Sequence, residues 1–238
     1  MIPSEKPHWG LSPENVDKIK ATWLGHAAFL VELPTPPGAS RGPRVLFDPA
    51  LAVRCSPVQW LGPARYTAVP SAIEDIPAVD AIVLSHNHYD HVDATTLKAL
   101  NSRHAPHVFA GLENGPLLRS FGYTPERIHC LDWWDASSLA LALPAAGDNG
   151  GKAIDTTVEI TCTPAQHQAN RSIHDRWRSL WASWTIKGST GHSVYFGGDT
   201  GYRTVHDGED EDAVPRCPAF REIGEKLGPF DVALLPIG

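Results

Sequence analysis

The hydrophobic positions of this chain fall into short apolar runs separated by polar turns that contain glycine and proline. Runs of this length, bounded by turn residues, are typical of buried β-strands rather than of long helices. Residues 20–33 predict two short strands with Gly25 and His26 near their junction. Further strands are predicted at 45–47, 79–85, 107–110, 158–163, 180–186, 193–196 and 231–236.

Helices are predicted between and after these groups of strands. Asp93 fits the N-cap of a helix from 94 to about 101, because an aspartate side chain accepts hydrogen bonds from the first amides of a helix. Ser71, with Glu74 three residues later, indicates a second cap. Two more helices are predicted at 115–121 and 220–227.

Grouped strands with helices between and after them favour two sheets faced by helices over a single doubly wound parallel sheet. Four intervening segments predict loops, because they are rich in proline, glycine or charge. They comprise a surface loop at 34–43, an ordered loop over one face at 54–70, a flexible glycine-rich turn at 144–152 and a solvated acidic loop at 204–218.

Composition and charge narrow the function classes. The 238 residues, 42% of them hydrophobic, suffice for one large core or at most two small ones. A net charge of -7 argues against a nucleic-acid binder, which would present a basic face. Phosphate-containing substrates stay open, because bound metal ions supply local positive charge. No C-x-x-C pair occurs, so we expect reduced, mostly buried thiols and no thiolate metal site at Cys55, Cys130, Cys162 and Cys217.

No stretch approaches the ~20 consecutive apolar residues of a membrane-spanning helix. The first ten residues also lack the apolar segment of a secretory signal. We therefore expect an intracellular protein that would meet a membrane only from its surface.

A histidine-rich motif directly follows the predicted strand at 79–85. It reads H-x-H-x-D-H and supplies four potential metal ligands within six residues: His86, His88, Asp90 and His91. Neutral imidazole and carboxylate suit zinc and similar divalent ions, and a strand end holds them accurately. A polar turn that happens to contain histidines is the competing interpretation, but three histidines and an aspartate at this spacing favour a metal-dependent hydrolase.

Three further polar residues lie at the ends of predicted strands. Asp48 follows 45–47, His167 follows 158–163, and Asp199 lies in a Gly-Gly-Asp-Thr-Gly segment after 193–196. Glycines beside Asp199 allow the backbone to approach whatever the carboxylate contacts. Each residue alone would be a turn or surface residue, but together with the motif they indicate a larger metal site.

Several segments carry a family resemblance. They are T-W-L-G-H-A, F-D-P, L-S-H-N-H-Y-D-H, L-D-W-W, T-P-A-Q-H, G-G-D-T-G-Y and G-P-F-D, in that order. The chain resembles the metallo-β-lactamase superfamily from about residue 23 to its last residue. Within that superfamily it is similar to the N-acyl-phosphatidylethanolamine-hydrolysing phospholipase D family, and the Trp-Trp, Gly-Asp-Thr-Gly-Tyr and Gly-Pro-Phe-Asp segments make this narrower assignment sharper.

The resemblance implies an α+β fold, the four-layer αβ/βα sandwich, at 21–238 after an N-terminal extension at 1–20. It also implies two zinc ions and a nucleophilic hydroxide between them. By the same resemblance, the first zinc is held by His86, His88 and His167, and the second by Asp90, His91 and a bridging Asp199, with Asp90 and Asp199 as the catalytic carboxylates. Asp48 and His26 are expected to orient these ligands. The family has one more histidine ligand beyond the Pro-Ile-Gly stretch, so we expect this domain to lack its final strand or strands and helices.

The resemblance implies cleavage of N-acyl-phosphatidylethanolamine to an N-acylethanolamine and phosphatidic acid, with a phospholipid as partner. Two alternatives stay open: a hydrolase of the same fold acting on a soluble ester, a lactone or a nucleic-acid phosphodiester, and an inactive fragment. The charge argues against nucleic acid, and an apolar patch beside the metals would favour a lipid. Peripheral membrane binding and oligomer formation also stay open.

Two sets of side chains between 171 and 184 indicate their roles less specifically than the metal motif does. Trp177, Trp181 and Trp184 are predicted to pack in the core. Arg171, Arg176 and Arg178 are predicted to form a solvated basic cluster, with contact to a phosphate headgroup as the alternative.

Overall fold

The computed structural model describes residues 5–147, 152–172 and 174–237. Within these residues the strands form two sheets. The first sheet has, in spatial order, β1 (Lys20–Gly25), β2 (Ala28–Glu32), β3 (Arg44–Phe47), β4 (Ala81–Val83), β5 (His107–Gly111) and β6 (Ile128–Leu131). The second contains β7 (Ala136–Leu143), β8 (Ile154–Thr163), β9 (Ser183–Gly188), β10 (Ser193–Phe196) and β11 (Val232–Leu234), in the spatial order β11-β10-β9-β8-β7.

The α-helices of the described residues are α1 (Ala94–His104), α2 (Gly115–Ser120) and α3 (Pro218–Leu227). The first sheet begins as an antiparallel meander, β1-β2-β3, and continues with parallel pairs from β3 to β6. Phe47 of β3 pairs with Val83 of β4, so these two parallel strands end at the same edge. The residues that follow them, including Asp48 and the histidine motif, are thereby brought together.

Two apolar clusters hold the layers together. One lies between the sheets and contains Phe47 of β3 and Trp184 of β9, both fully buried. The other lies between the first sheet and its helices, with Leu46 of β3 facing Leu97 of α1 and Leu118 of α2. Strand β3 is therefore buried on both faces, which explains the apolar run at 45–47.

Helix α3 lies beside the second sheet, where Phe220 and Ile223 line a cavity together with Tyr195 of β10. This arrangement of helix, sheet, sheet and helix confirms the predicted α+β sandwich. No helix among the described residues is both long and apolar enough to cross a bilayer. The division into 1–20 and 21–238 stays a prediction.

Most predicted elements are present, but a few differ from the structure. Strand β6 was not predicted, because its sequence, Ile-His-Cys-Leu, lacks a clear alternation. The cap at Ser71 is wrong: its hydroxyl donates to the carbonyl of Ala72, and only a short 3-10 helix follows at Ile73–Asp75. Asp93 does cap α1, accepting from the amide of Thr95. Part of the turn predicted at 144–152 lies outside the described residues.

Three predictions about side-chain burial need correction. Only Trp184 of the three tryptophans is fully buried, and Trp177 is largely exposed beneath the guanidinium of Arg176. Among the four free cysteines only Cys162 is buried. Arg171 is not part of a solvated cluster, because its guanidinium donates to the carbonyls of Asn87 and Val92 and covers the ring of Tyr89 at 3.9 Å.

A buried ionic cluster joins the first three strands. Glu32 of β2, 4% exposed, accepts from the Nε of Arg44 on β3 at 2.6 Å and lies 2.8 Å from the Nζ of Lys20 on β1. The amide of Gly42 donates a third hydrogen bond to this carboxylate. Burial alone would raise the pKa of Glu32, but these partners lower it below its ordinary value.

Replacing Glu32 with glutamine leaves two buried cations without a counter-charge. We expect a loss of ~3–5 kcal/mol in the free energy of unfolding at neutral pH. Because the folded-state pKa lies below the unfolded one, the carboxylate stabilises the fold above the unfolded pKa and ceases to do so as the pH falls through the folded pKa. Urea unfolding of both proteins from neutral pH to about pH 3 should therefore show the difference shrinking in acid.

Glu225→Gln provides the matched control, since Glu225 is an exposed residue of α3. We expect this change to alter the free energy of unfolding by no more than ~0.5 kcal/mol. Equal destabilisation by the two substitutions would contradict a special role for Glu32.

Candidate metal centre

The histidine motif forms a tight turn between β4 and α1. The amides of His91 and Val92 both donate to the carbonyl of His88, which holds the turn closed. His86 and His91 are buried, whereas His88 and Asp90 are partly exposed. The turn therefore directs its four polar side chains toward one edge of the sandwich from a fixed backbone.

Three imidazole nitrogens converge at this edge. Nε2 of His86 lies 2.8 Å from Nδ1 of His88 and 3.0 Å from Nε2 of His167, and the remaining separation is 3.3 Å. Nitrogens that bind one zinc ion tetrahedrally at ~2.0–2.1 Å would lie about 3.3 Å apart. The three histidines predicted for the first metal thus have a spacing that fits a shared ion.

The opposite ring nitrogens of this group have hydrogen-bond partners. Nδ1 of His86 lies 2.8 Å from the hydroxyl of Ser85, and Nε2 of His88 lies 2.9 Å from Oδ1 of Asn170. With these outer nitrogens acting as donors, the inner nitrogens keep their lone pairs for a metal. Burial, with the neighbouring histidines, lowers the pKa of His86 far below its ordinary value, so this ring is neutral and able to coordinate.

A second group of ligand atoms lies beside the first. Nε2 of His91 is 3.0 Å from Oδ2 of Asp199 and 3.8 Å from Oδ2 of Asp90. The same Asp90 oxygen is 2.9 Å from Nε2 of His26. The rings of His86 and His91 are 4.1 Å apart between centroids, so the two groups are adjacent. The structure therefore brings all six predicted ligands into one centre.

Gly198 explains how Asp199 reaches this position. Its φ of +60° lies in the left-handed region, and a Cβ at this residue would be 2.5 Å from the Cβ of Ser85. Only glycine lets the loop after β10 pass so close to the turn after β4. This contact between loops places the Asp199 carboxylate against His91.

Asp48 is the hydrogen-bond acceptor that joins the two groups. Its carboxylate is completely buried and accepts from the amide of Ser85 at 2.8 Å, from the Ser85 hydroxyl at 2.6 Å and from Nδ1 of His91 at 2.6 Å. Because the Ser85 hydroxyl also contacts His86, one carboxylate orients a histidine in each group. Asp48 and His26, at φ +40° and +51°, both have left-handed backbones, a strained conformation that is common at functional sites.

Electrostatics in the second group favour a cation. Burial would lower the pKa of His91, but the charges of Asp48 and Asp199 and their hydrogen bonds raise it to about 10. Burial would likewise raise the pKa of Asp90, yet His26 and His91 lower it to about 2. The carboxylates of Asp90 and Asp199 thus both face Nε2 of His91. A divalent ion bound between them would replace the proton on that nitrogen and balance the charge of both carboxylates.

The structure brings together the predicted ligands, but sequence reasoning missed two residues that contact them. Ser85 and Asn170 contact His86 and His88, respectively, although neither residue type binds metals strongly. Their positions were a usable signal, since Ser85 directly precedes the motif and Asn170 lies three residues after His167. Asp48 and His26 have the contacts expected of residues that orient ligands.

Comparison with known proteins assigns the family. A model of the beta-lactamase superfamily domain matches residues 43–238. The chain belongs to the metallo-β-lactamase superfamily. It is 36% identical over 222 residues to N-acyl-phosphatidylethanolamine-hydrolyzing phospholipase D 1 of Caenorhabditis elegans, covering 92% of this chain and 53% of that protein. It is 26% identical over 226 residues to a metal-dependent hydrolase of Anaeromyxobacter sp. (strain K), covering 93% and 65%, respectively.

The named relatives are hydrolases, so this is a hydrolase family. Among solved structures, the isothiocyanate hydrolase from Delia radicum gut bacteria superposes with a TM-score of 0.53 at 19% identity, covering 87% of this chain and 67% of that one. That likeness supports the fold alone. The chain spans about half the length of curated relatives such as the Caenorhabditis elegans protein. The predicted resemblance is confirmed, and the activity of the whole protein is inferred from the centre and its surroundings.

Replacing Asp48 with asparagine should weaken metal binding without removing a proposed ligand. The amide has one acceptor oxygen for three donors, so His91 and Ser85 lose their fixed orientation. We expect a 10- to 100-fold loss of Zn²⁺ affinity, the usual range for such supporting residues. Competition with a chromophoric chelator would measure it.

Asp231→Asn is the matched control, because the Asp231 carboxylate also accepts a backbone amide, that of Ser193, but at the far end of β10. We expect this variant to keep the Zn²⁺ affinity of the parent protein. If Asp48→Asn also kept it, the role assigned to Asp48 would be wrong.

Proposed function

We propose that the protein is a zinc-dependent phosphodiesterase that hydrolyses N-acyl-phosphatidylethanolamine to an N-acylethanolamine and phosphatidic acid at a membrane surface. The ligand set supports two metal ions, since imidazole and carboxylate donors suit zinc. The phospholipase D of Caenorhabditis elegans, similar over 92% of this chain, supports the substrate class. An intracellular location, with contact to a phospholipid surface, is part of the same proposal.

The observation that carries the lipid substrate is an apolar loop beside the metal centre. Four large hydrophobic side chains on this loop, here called the rim loop (residues 51–67), extend into solvent: Val53, Trp60, Leu61 and Tyr66. Trp60 is 77% exposed and Tyr66 is 98% exposed. Leaving such a group of side chains in water is unfavourable, and aromatic residues of this kind are typical of surfaces that enter the lipid interface.

The rim loop is held by its own hydrogen bonds. The amide of Cys55 donates to the carbonyl of Pro63 at 3.0 Å, and the guanidinium of Arg54 donates to the carbonyl of Gly62. The amide of Arg54 and the side chain of Gln59 form a further contact. These bonds fix the loop backbone while its apolar side chains point away from the protein.

A cavity of about 570 Å³ connects the rim loop with the metal centre. Cys55, Pro63, Arg65 and Thr67 of the loop line it on one side. The other side contains His26, His88, Tyr89 and Asp90. A phospholipid whose acyl chains stay in the membrane could thus present its headgroup to the predicted ligands through this opening.

The reaction adds water across the phosphorus–oxygen bond on the ethanolamine side. When bound, the two metal ions supply Lewis-acid charge and lower the pKa of water. The residues of the chain contribute position and charge. Burial would raise the pKa of both Asp90 and Asp199, but His26 and His91 lower the pKa of Asp90, and His91 lowers that of Asp199. Both side chains are therefore ionised. They would hold the ions and accept hydrogen bonds from the attacking water. Arg171 and Tyr89 form a packed wall of the cavity.

The membrane role of the rim loop can be tested with one pair of leucines. Leu61→Ser should lower hydrolysis of N-acyl-phosphatidylethanolamine in vesicles about tenfold, because embedding a leucine side chain in lipid is worth ~1.5–3 kcal/mol and 1.4 kcal/mol is a factor of ten. Hydrolysis of a short-chain diester dissolved as monomers should be unchanged. Mass spectrometry would measure the N-acylethanolamine that the full-length protein releases from the lipid.

Leu11→Ser is the control, since Leu11 is similarly exposed but lies outside the rim loop. It should leave both rates unchanged. Absence of N-acylethanolamine release by the metal-loaded, full-length protein, together with hydrolysis of a soluble ester or lactone, would overturn the proposed substrate and favour the alternative hydrolase.

A further inference from the structure

We infer that Arg65 of the rim loop binds an anionic oxygen of the substrate's phosphodiester beside the metal centre. This inference rests on the proposed function, because it names the group that would recognise the phosphate. Arg65 is neither a metal ligand nor a partner of one. Its assignment comes from its position in the cavity and from the charges around it.

Arg65 is held in the wall of the cavity that His26, His88 and Asp90 also line. Its Nη1 donates to the carbonyl of Ala50 at 2.6 Å, two residues after Asp48, and its amide donates to the carbonyl of Val53. Its Nη2 lies against Gly25, where a Cβ would be 2.6 Å away. Gly25 is followed by His26, which contacts Asp90. The guanidinium therefore packs against the residue that precedes His26, and His26 in turn contacts Asp90 of the second group.

Gly25 provides the space for this guanidinium. Its φ of +96° is in a region that residues with a side chain rarely adopt, and the pairing of β1 with β2 is irregular at this point. Any larger residue would displace Arg65 from the wall. The glycine therefore leaves room for the arginine side chain against the end of β1.

The guanidinium of Arg65 forms no direct ion pair with a carboxylate in the described part of the protein, although Cys55 and Asp93 act on its charge from a distance. No carboxylate oxygen of the described residues lies within 4 Å of its guanidinium, whereas Arg41 and Arg44 have bonded carboxylates. Its Nε is buried without a hydrogen-bond partner. Burial lowers the pKa of Arg65, which reflects the cost of keeping this cation away from water. A half-buried cation with an unused donor is stabilised when an anion enters the cavity.

Arg171, the other arginine that lines this cavity, cannot serve in the same way. Its Nη1 donates to the carbonyls of both Asn87 and Val92, and the face of its guanidinium covers the ring of Tyr89, so protein groups hold it on two sides. Nη1 of Arg65 donates to a single carbonyl, and its Nη2 has no protein acceptor among the described residues, whereas Nε is enclosed by protein atoms. Paired donors of one guanidinium match two oxygens of a phosphate, which a lysine ammonium does not reproduce. The expected ligand is a phosphodiester monoanion.

Arg65→Gln tests the assignment through anion binding. Dimethyl phosphate, a diester monoanion, would be titrated into the full-length, metal-loaded protein and followed by phosphorus NMR. We expect affinity to fall 10- to 100-fold, the range for a lost hydrogen bond to a charged group. Arg65→Lys should give an intermediate affinity. Metal content, measured in each variant, should be unchanged, which separates this effect from loss of the ions.

Arg103→Gln is the matched control, because its guanidinium likewise donates to a backbone carbonyl, that of Glu74, but lies outside the cavity. It should bind dimethyl phosphate as the parent protein does. A second readout compares a chromogenic phosphodiester with a neutral carboxylic ester. Arg65→Gln should lower kcat/KM for the diester alone, whereas a merely structural role would affect both substrates.

Unchanged dimethyl phosphate affinity in Arg65→Gln, with normal metal content, would overturn the inference. Equal losses for the diester and the neutral ester would also overturn it. The proposed lipid substrate is judged separately by release of N-acylethanolamine. Phosphate binding through Arg65 would stand if that release were absent, and release could persist if Arg65 bound no phosphate.

Discussion

The candidate metal centre depends on the hydrogen bonds that the buried carboxylate of Asp48 accepts. A fully buried anion is tolerated only when it is hydrogen-bonded, and Asp48 accepts from two groups of Ser85 and from His91. Through Ser85 it also reaches His86. One side chain therefore determines which ring nitrogen of two histidines faces the centre. Its place at the end of β3, paired in parallel with β4, makes this arrangement a consequence of sheet topology.

The predicted ligands and the rim loop beside them are held in place by different interactions. Its ligands follow strands whose residues are buried between two sheets or beneath helices, so their positions follow from core packing. The rim loop instead gains its shape from internal hydrogen bonds and presents apolar side chains to solvent. Under the proposed function, chemistry and substrate selection would reside on different elements, as in many enzymes where loops adapt one scaffold to different substrates.

Much of the fold was accessible from local sequence patterns, because short apolar runs and a strong N-cap report burial and helix start directly. The Asp93 cap and strand β10 are examples. The failures have a common cause. Strand β6, the exposed Trp177 and the fixed Arg171 depend on which distant segment lies opposite them, and no local period encodes that. The six predicted ligands could be singled out because their residue types are unusual at strand ends and because of the family resemblance.

The sequence by itself determined the ligand types, the sheet-rich sandwich and the superfamily, because these follow from residue chemistry, periodicity and motif order. Only the tertiary structure decided how these residues meet. It set Asp199 against His91 through the glycine contact at Ser85, made Asp48 the common acceptor, and left Arg65 without an ion-paired carboxylate among the residues that the structure describes. Each of these depends on separations of a few ångströms between segments far apart in the chain, which hydrogen bonding and close packing fix only after folding.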